Sequence, residues 1–123
     1  MGIGAEAGIL RLTPTGTPGT MSEATGAFEV PCMTLDAALA GGRVDYIKVD
    51  VEGFEPQVMR GAQASIARCR PSIGLSVYHA PEDIFSLPAW VMDRVENYSF
   101  HFRAHDHDGI DFIFYAIPAE HRP

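Results

Sequence analysis

The stretch Val44-Asp45-Tyr46-Ile47-Lys48-Val49-Asp50-Val51-Glu52-Gly53-Phe54-Glu55-Pro56 decides the fold. Val44 to Val51 is rich in β-branched and aromatic side chains and reads as a strand that runs into an acidic cluster. Pro56 suits the first turn of a helix, where a backbone N–H has no partner to lose. Phe54, Val58, Ala62 and Ile66 recur every four residues and form one apolar stripe, which predicts a helix of about four turns. Gly61 weakens that helix by about 1 kcal/mol relative to alanine but need not end it. Arg68-Cys69-Arg70-Pro71 closes it, with cations at the negative end of the dipole and a proline beyond. Ile73 to Tyr78 reads as a second buried strand. Strand, helix, strand is a βαβ unit, whose crossover is right-handed and whose strands are parallel neighbours.

Working outward from this unit, Thr34 reads as the N-cap of a short helix from Leu35 to Ala40, ended by Gly41-Gly42. Before it, Ile9 to Leu12 and Phe28 to Pro31 are β-compatible. The Gly/Pro/Thr/Ser-rich run Thr13–Gly26 between them reads as a long hairpin connection. After His79, Ala80-Pro81-Glu82-Asp83 opens a helix that includes Trp90, Met92 and Val95. Tyr98 to Arg103 and Asp111 to Ile117 then read as an antiparallel hairpin around an Asp-Gly turn signal. The expected fold is therefore one α/β domain over residues 1–123, a hairpin-like segment at 1–33 followed by an α/β core at 34–118. Its core is half of an open sheet, with a parallel βαβ unit and a terminal antiparallel β-hairpin.

The bulk properties exclude several function classes. The chain has 123 residues, 46% hydrophobic and 20% charged, which is ordinary globular usage. A net charge of −7 argues against sequence-independent nucleic-acid binding and against an anionic membrane surface. No apolar run approaches the roughly 20 residues of a membrane span. The first residues lack the basic and apolar regions of a signal peptide, so a cytoplasmic setting is the default. Cys32 and Cys69 sit in no metal or redox spacing and read as reduced thiols.

The same residues resemble a known family. The segments Thr34-Leu35-Asp36-Ala37-Ala38-Leu39, Val44 to Glu55 and Val58-Met59-Arg60-Gly61-Ala62 are similar to FkbM-type methyltransferases. Arg70-Pro71, Tyr78-His79 and the Pro81-Glu82-Asp83 helix opening follow in the same order, so the likeness covers Gly8 to Pro118. It implies the doubly wound, Rossmann-like sheet of class I methyltransferases, with Val44–Val51 as its fourth strand and Ile73–Tyr78 as its fifth. It implies S-adenosylmethionine as cofactor and an oxygen of a small molecule or sugar as methyl acceptor. The glycine-rich cofactor loop and the ribose-binding acid of such enzymes have no counterpart here. Gly2-Ile3-Gly4 follows no strand and is not such a turn. The expectation is a C-terminal portion of a methyltransferase domain, truncated and inactive alone.

Asp50 and Glu52 fall at the carboxyl end of a parallel strand, where ligands bind in open α/β sheets. Clustered carboxylates there orient a substrate hydroxyl or hold a divalent ion; the plainer reading is that they cap the next helix. Gly53 permits a tight turn between them and that helix. Asp50 and Val51 are the candidate cofactor contacts that the resemblance implies. His79 ends the neighbouring strand, and a neutral imidazole there can take a proton from an acceptor hydroxyl. Asp50, Glu52 and His79 are thus the candidate catalytic residues. Glu52, His79, His105 and His107 are the candidate substrate contacts, the last two from a polar hairpin loop. That His/Asp loop also raises a metal-dependent hydrolase as a rival. Its spacing lacks the three-ligand pattern of a catalytic zinc site, so no metal is assigned. Trp90, Phe85, Phe100, Phe102, Phe112 and Phe114 read as core, and Arg60, Arg68 and Arg70 as solvated. A different rival is a non-catalytic interaction domain. The Val44–Val51 strand has an open edge that a homodimer, a partner chain or the N-terminal hairpin would cover.

Overall fold

The computed structural model describes residues 1–12, 28–105 and 111–123. The connection at Thr13–Gly26 and the loop residues 106–110, which include His107 and the Asp-Gly turn signal, lie outside the described residues.

Two sheets form. In the smaller, β1 (Gly2–Ile3) runs parallel to β3 (Phe28–Met33), and β2 (Gly8–Leu12) pairs with β3 antiparallel in the register Gly8 to Cys32 through Leu12 to Phe28. The N-terminal hairpin is therefore present, with one short extra strand. The larger sheet has the order β4-β5-β7-β6. Strands β4 (Tyr46–Val49) and β5 (Ser72–Ser76) are parallel, β7 (Phe112–Pro118) is antiparallel to β5, and β6 (Tyr98–Ala104) is antiparallel to β7. The parallel pair and the terminal hairpin stand as expected.

Burial follows the residue pattern. In β4, Ile47 and Val49 are buried while Tyr46 and Lys48 face outward, as alternation requires. β5 is buried on both faces from Ile73 to Ser76, as suits a strand with neighbours on each side and cover above and below. Ile73, Leu75 and Phe114 pack in one cluster with Val58, Met59, Ala62 and Ile66 from the crossover and with Leu87 and Val91 from α4 (Asp83–Met92). Two expected core aromatics lie outside this cluster: Phe85 is 76% exposed and Phe102 is 45% exposed.

The crossover departs from the expected single helix. It is α2 (Glu55–Arg60) followed by α3 (Gln63–Cys69), broken at Gly61-Ala62. The four stripe residues are all buried, so the periodicity reported the buried face correctly but not the break. The cause is close approach: a Cβ on Gly61 would lie 2.0 Å from the Gly4 carbonyl oxygen. The N-terminal sheet passes over the crossover at that point, and the Gly61 carbonyl accepts from the Asp36 N–H.

The break leaves the N-terminus of α3 needing a cap, and Asp36 supplies it. Asp36 lies in α1 (Leu35–Leu39), a helix capped by the Thr34 hydroxyl accepting from the Ala37 N–H. Its carboxylate accepts from the Ala64 N–H at 3.0 Å and from the Ser65 N–H at 2.7 Å. Partial burial alone would raise its pKa, but the hydrogen bonds from Ser65 and Ala64 outweigh it and hold the group below its ordinary value. A carboxyl with a depressed folded pKa contributes its stability above the unfolded value and loses it as pH falls through the folded one. Asp36→Asn keeps one acceptor oxygen but loses the charge-assisted pair of bonds, and is therefore expected to cost about 1 kcal/mol at neutral pH. In urea melts from pH 7 down to pH 2, the gap between the two proteins should close below the ordinary carboxyl range.

Arg68 and Arg70 are not simply solvated. Arg68 donates to the Gly41 and Gly42 carbonyls, and Arg70 forms a paired contact with Glu120 at 2.6 and 3.2 Å, which holds the Glu120 carboxyl at about 2. No helix among the described residues is long and apolar enough to cross a membrane.

Candidate functional site

Parallel pairing of β4 and β5 in the register Val49 to Leu75 brings their carboxyl ends to one edge. Asp50 leaves β4 there, and Val77-Tyr78-His79 leaves β5 beside it. The segment between β4 and α2 then folds back on itself. Glu52 has φ 55° and Gly53 φ 95°, two successive left-handed residues. The Phe54 N–H donates to the Val51 carbonyl, and the Val51 N–H donates to Glu55 Oε1 at 2.9 Å. Neither Asp50 nor Glu52 caps α2, whose N-cap is Phe54 with no side-chain bond. The plainer reading of these acids as helix caps therefore does not hold.

Glu52 lacks the freedom of glycine, and a left-handed residue with a side chain costs roughly 1–2 kcal/mol. Glu52→Gly should accordingly leave thermal stability unchanged or raise it, since relief of that strain offsets the added freedom of the unfolded chain. A clear drop in melting temperature would show instead that the Glu52 side chain holds the loop.

The acids converge on His79. Its Nε2 lies 3.7 Å from Asp50 Oδ1 and 3.4 Å from Glu52 Oε2, and its Nδ1 lies 2.9 Å from Glu55 Oε1. The His79 side chain is only 9% exposed and Glu55 is fully buried. These are approaches of charge, not aligned hydrogen bonds: neither ring nitrogen has a hydrogen-bond partner, and neither does Glu55 Oε2. Glu55 Oε1 is already engaged by the Val51 N–H. Three acids thus surround an imidazole whose two nitrogens are free to bind something else.

Two further side chains complete the edge. Tyr78 donates to Asp50 Oδ1 at 3.3 Å; burial, then the charge and hydrogen bond of Asp50, raise its pKa and keep it a donor. Lys48 reaches Asp50 Oδ2 at 3.5 Å from a solvated position. Beside them a cavity of about 450 Å³ opens, lined by Val77, Tyr78, Ala80, Pro81, Ile84 and Phe112. Its walls are mostly apolar, as in small-molecule sites generally.

The structure brings Asp50, Glu52 and His79 together. It does not bring His105 to them: its Nε2 bonds the Tyr115 hydroxyl of its own hairpin at 2.8 Å. His107 lies outside the described residues. Val51 is next to the site, but its N–H is taken by Glu55. Its side chain instead lines a separate groove along the outer edge of β4, with Ile3, Leu35, Val44 and Ile47. Sequence reasoning assigned no role to Glu55 or Tyr78. The available signal was an acid in the first turn of α2, three residues after another acid and with no cap needing it.

A scan against protein families matches residues 4–114 to the Methyltransferase FkbM domain. The chain belongs to the FkbM methyltransferase family. A search of the curated proteins finds no match. Among solved structures, the FkbM methyltransferase from Methylobacillus flagellatus KT superposes with a TM-score of 0.69 at 22% identity. The match covers 94% of this chain and 26% of that one, so the chain spans about a quarter of its solved neighbour. At that identity the likeness concerns the fold, an α/β fold shared with a methyltransferase.

Proposed function

We propose that this FkbM domain forms the acceptor-side portion of an S-adenosylmethionine-dependent O-methyltransferase acting on a small molecule or sugar. The observation that carries the reading is the convergence of Asp50, Glu52 and Glu55 on the largely enclosed His79 side chain at the carboxyl edge of the parallel strands. In this reading the β4-β5-β7-β6 sheet is one half of a Rossmann-like sheet, and the setting is cytoplasmic. Nucleic acid and membrane are not its partners, in keeping with the net charge of −7.

S-adenosylmethionine would supply the methyl group. The residues here fit it only in part. The acidic edge suits a cationic group, but the Val51 N–H is occupied, and no glycine-rich turn follows a strand among the described residues. The chain's own residues act on the acceptor. Asp50 and Glu52 accept from its hydroxyls and fix the reacting oxygen near His79 Nε2. Tyr78 holds Asp50 from the other side, and His79 Nε2 takes the hydroxyl proton as the oxygen becomes nucleophilic. Buried Glu55, beside Nδ1, favours the tautomer that leaves Nε2 free and stabilises the charge the ring gains. The adjoining apolar cavity receives the body of the acceptor.

The test joins this chain to the cofactor-holding segment of the Methylobacillus flagellatus relative. The reading expects the joined protein to bind S-adenosylmethionine and to release S-adenosylhomocysteine with a hydroxylated acceptor. Binding without turnover across a panel of sugars, phenols and alcohols would argue against it.

A second reading rests on β4. Among the described strands it pairs only with β5, and the N-terminal sheet does not extend it. A groove of about 300 Å³ runs along its open edge. A partner chain or a second copy that adds a strand there would make the domain an assembly module.

A further inference from the structure

The buried polar atoms around His79 are poorly served by the protein alone. Glu55 is fully buried, yet its Oε2 has no partner, and the 9%-exposed His79 has none at either nitrogen. A buried polar group without a partner costs on the order of 1–3 kcal/mol, more if it is charged, and three such atoms lie in one place. The local charge is also unbalanced. Asp50, Glu52 and Glu55 face the ring, and Asp83 is buried near enough to feel both Glu55 and His79. The cation on the other side is Lys48, a solvated chain at 3.5 Å from Asp50.

We propose that Asp50, Glu55 and His79 form a binding site for one divalent transition-metal cation. One ligand atom from each lies within 4.8 Å of the others. Ligands bound at about 2.1 Å around one tetrahedral ion lie roughly 3.4 Å apart, so binding draws the three groups inward by up to about 1.4 Å from that 4.8 Å limit. Two carboxylates and one imidazole suit a first-row transition ion better than an all-oxygen site for calcium or magnesium would. Three protein ligands leave coordination positions open, and Glu52 Oε2 lies beside them, 3.4 Å from His79 Nε2. The inference rests on the reading of this edge as the acceptor's site and amends one role in it. With the ion held, His79 is a ligand, the ion makes the acceptor oxygen nucleophilic, and Glu52 takes the proton.

Manganese(II) titration at pH 7.5, without S-adenosylmethionine and followed by loss of the free-ion electron paramagnetic resonance signal, tests the site. The parent chain should bind one ion. His79→Ala and Asp50→Asn should each weaken binding by more than about tenfold, with melting curves showing that both remain folded. No binding by the parent, or equal binding by both folded variants, would overturn the site. Because no cofactor is present, this outcome is separate from that of the joined protein: a failed titration leaves His79 as the base, and failed methyl transfer leaves the ion site.

Discussion

Gly61→Ala should destabilise the fold by about 2–3 kcal/mol, the upper range for forcing extra atoms into a packed interior. The added Cβ would meet the Gly4 carbonyl oxygen at 2.0 Å and the Thr34 Cβ at 3.2 Å. The first of these is backbone in a strand-paired segment, since the Gly4 N–H donates to the Met33 carbonyl. It has no rotamer by which to retreat, so the N-terminal sheet or the crossover must shift. In a free helix the same substitution would stabilise by about 1 kcal/mol, so the two expectations differ in sign. A urea midpoint that falls with an unchanged slope would match the close approach. A midpoint that rises would show that the helix break has another cause.

The other large effect is expected at His79. In the joined protein, His79→Ala should lower the rate of S-adenosylhomocysteine release by about 100-fold or more, the usual contribution of a positioned proton acceptor. Cofactor affinity should change little, because the ring faces Asp50, Glu52 and Glu55 and the acceptor's side of the edge. A variant that keeps nearly the parental rate would remove the imidazole from the chemistry and leave the acids as a structural knot.

Much of this was legible from local pattern. Ile47 and Val49 alternate with Tyr46 and Lys48, which marks one covered face of β4. Ile73, Leu75 and Val77 alternate with Gly74 and Ser76 in the same way, yet all five are buried, and only the small size of Gly74 and Ser76 pointed to cover on the second face. Asp50 and His79 were placed at one edge by topology alone, because parallel strands share their carboxyl ends. The parts that were not legible depend on contacts across the chain. Gly61 breaks the crossover because Gly4, 57 residues earlier in sequence, lies against it, and helix periodicity carries no information about that neighbour. Asp36 looks like an ordinary residue of a short helix until the break gives α3 an N-terminus to cap. Glu55 reads as a favourable first-turn acid, and only the return of the loop past two left-handed residues buries it beside His79. Phe85 illustrates the opposite error, since a large apolar residue on a helix is not bound to face the core.

The central claim is that residues 1–123 build the acceptor's side of a methyltransferase site and leave the cofactor's side to other residues. Calorimetric titration of S-adenosylmethionine into this chain tests it most directly. The account predicts no binding at micromolar concentrations by the chain alone, because the Val51 N–H is engaged and no glycine-rich turn is present among the described residues. Saturable micromolar binding would contradict it, and would mean that the edge around Asp50 holds the cofactor itself.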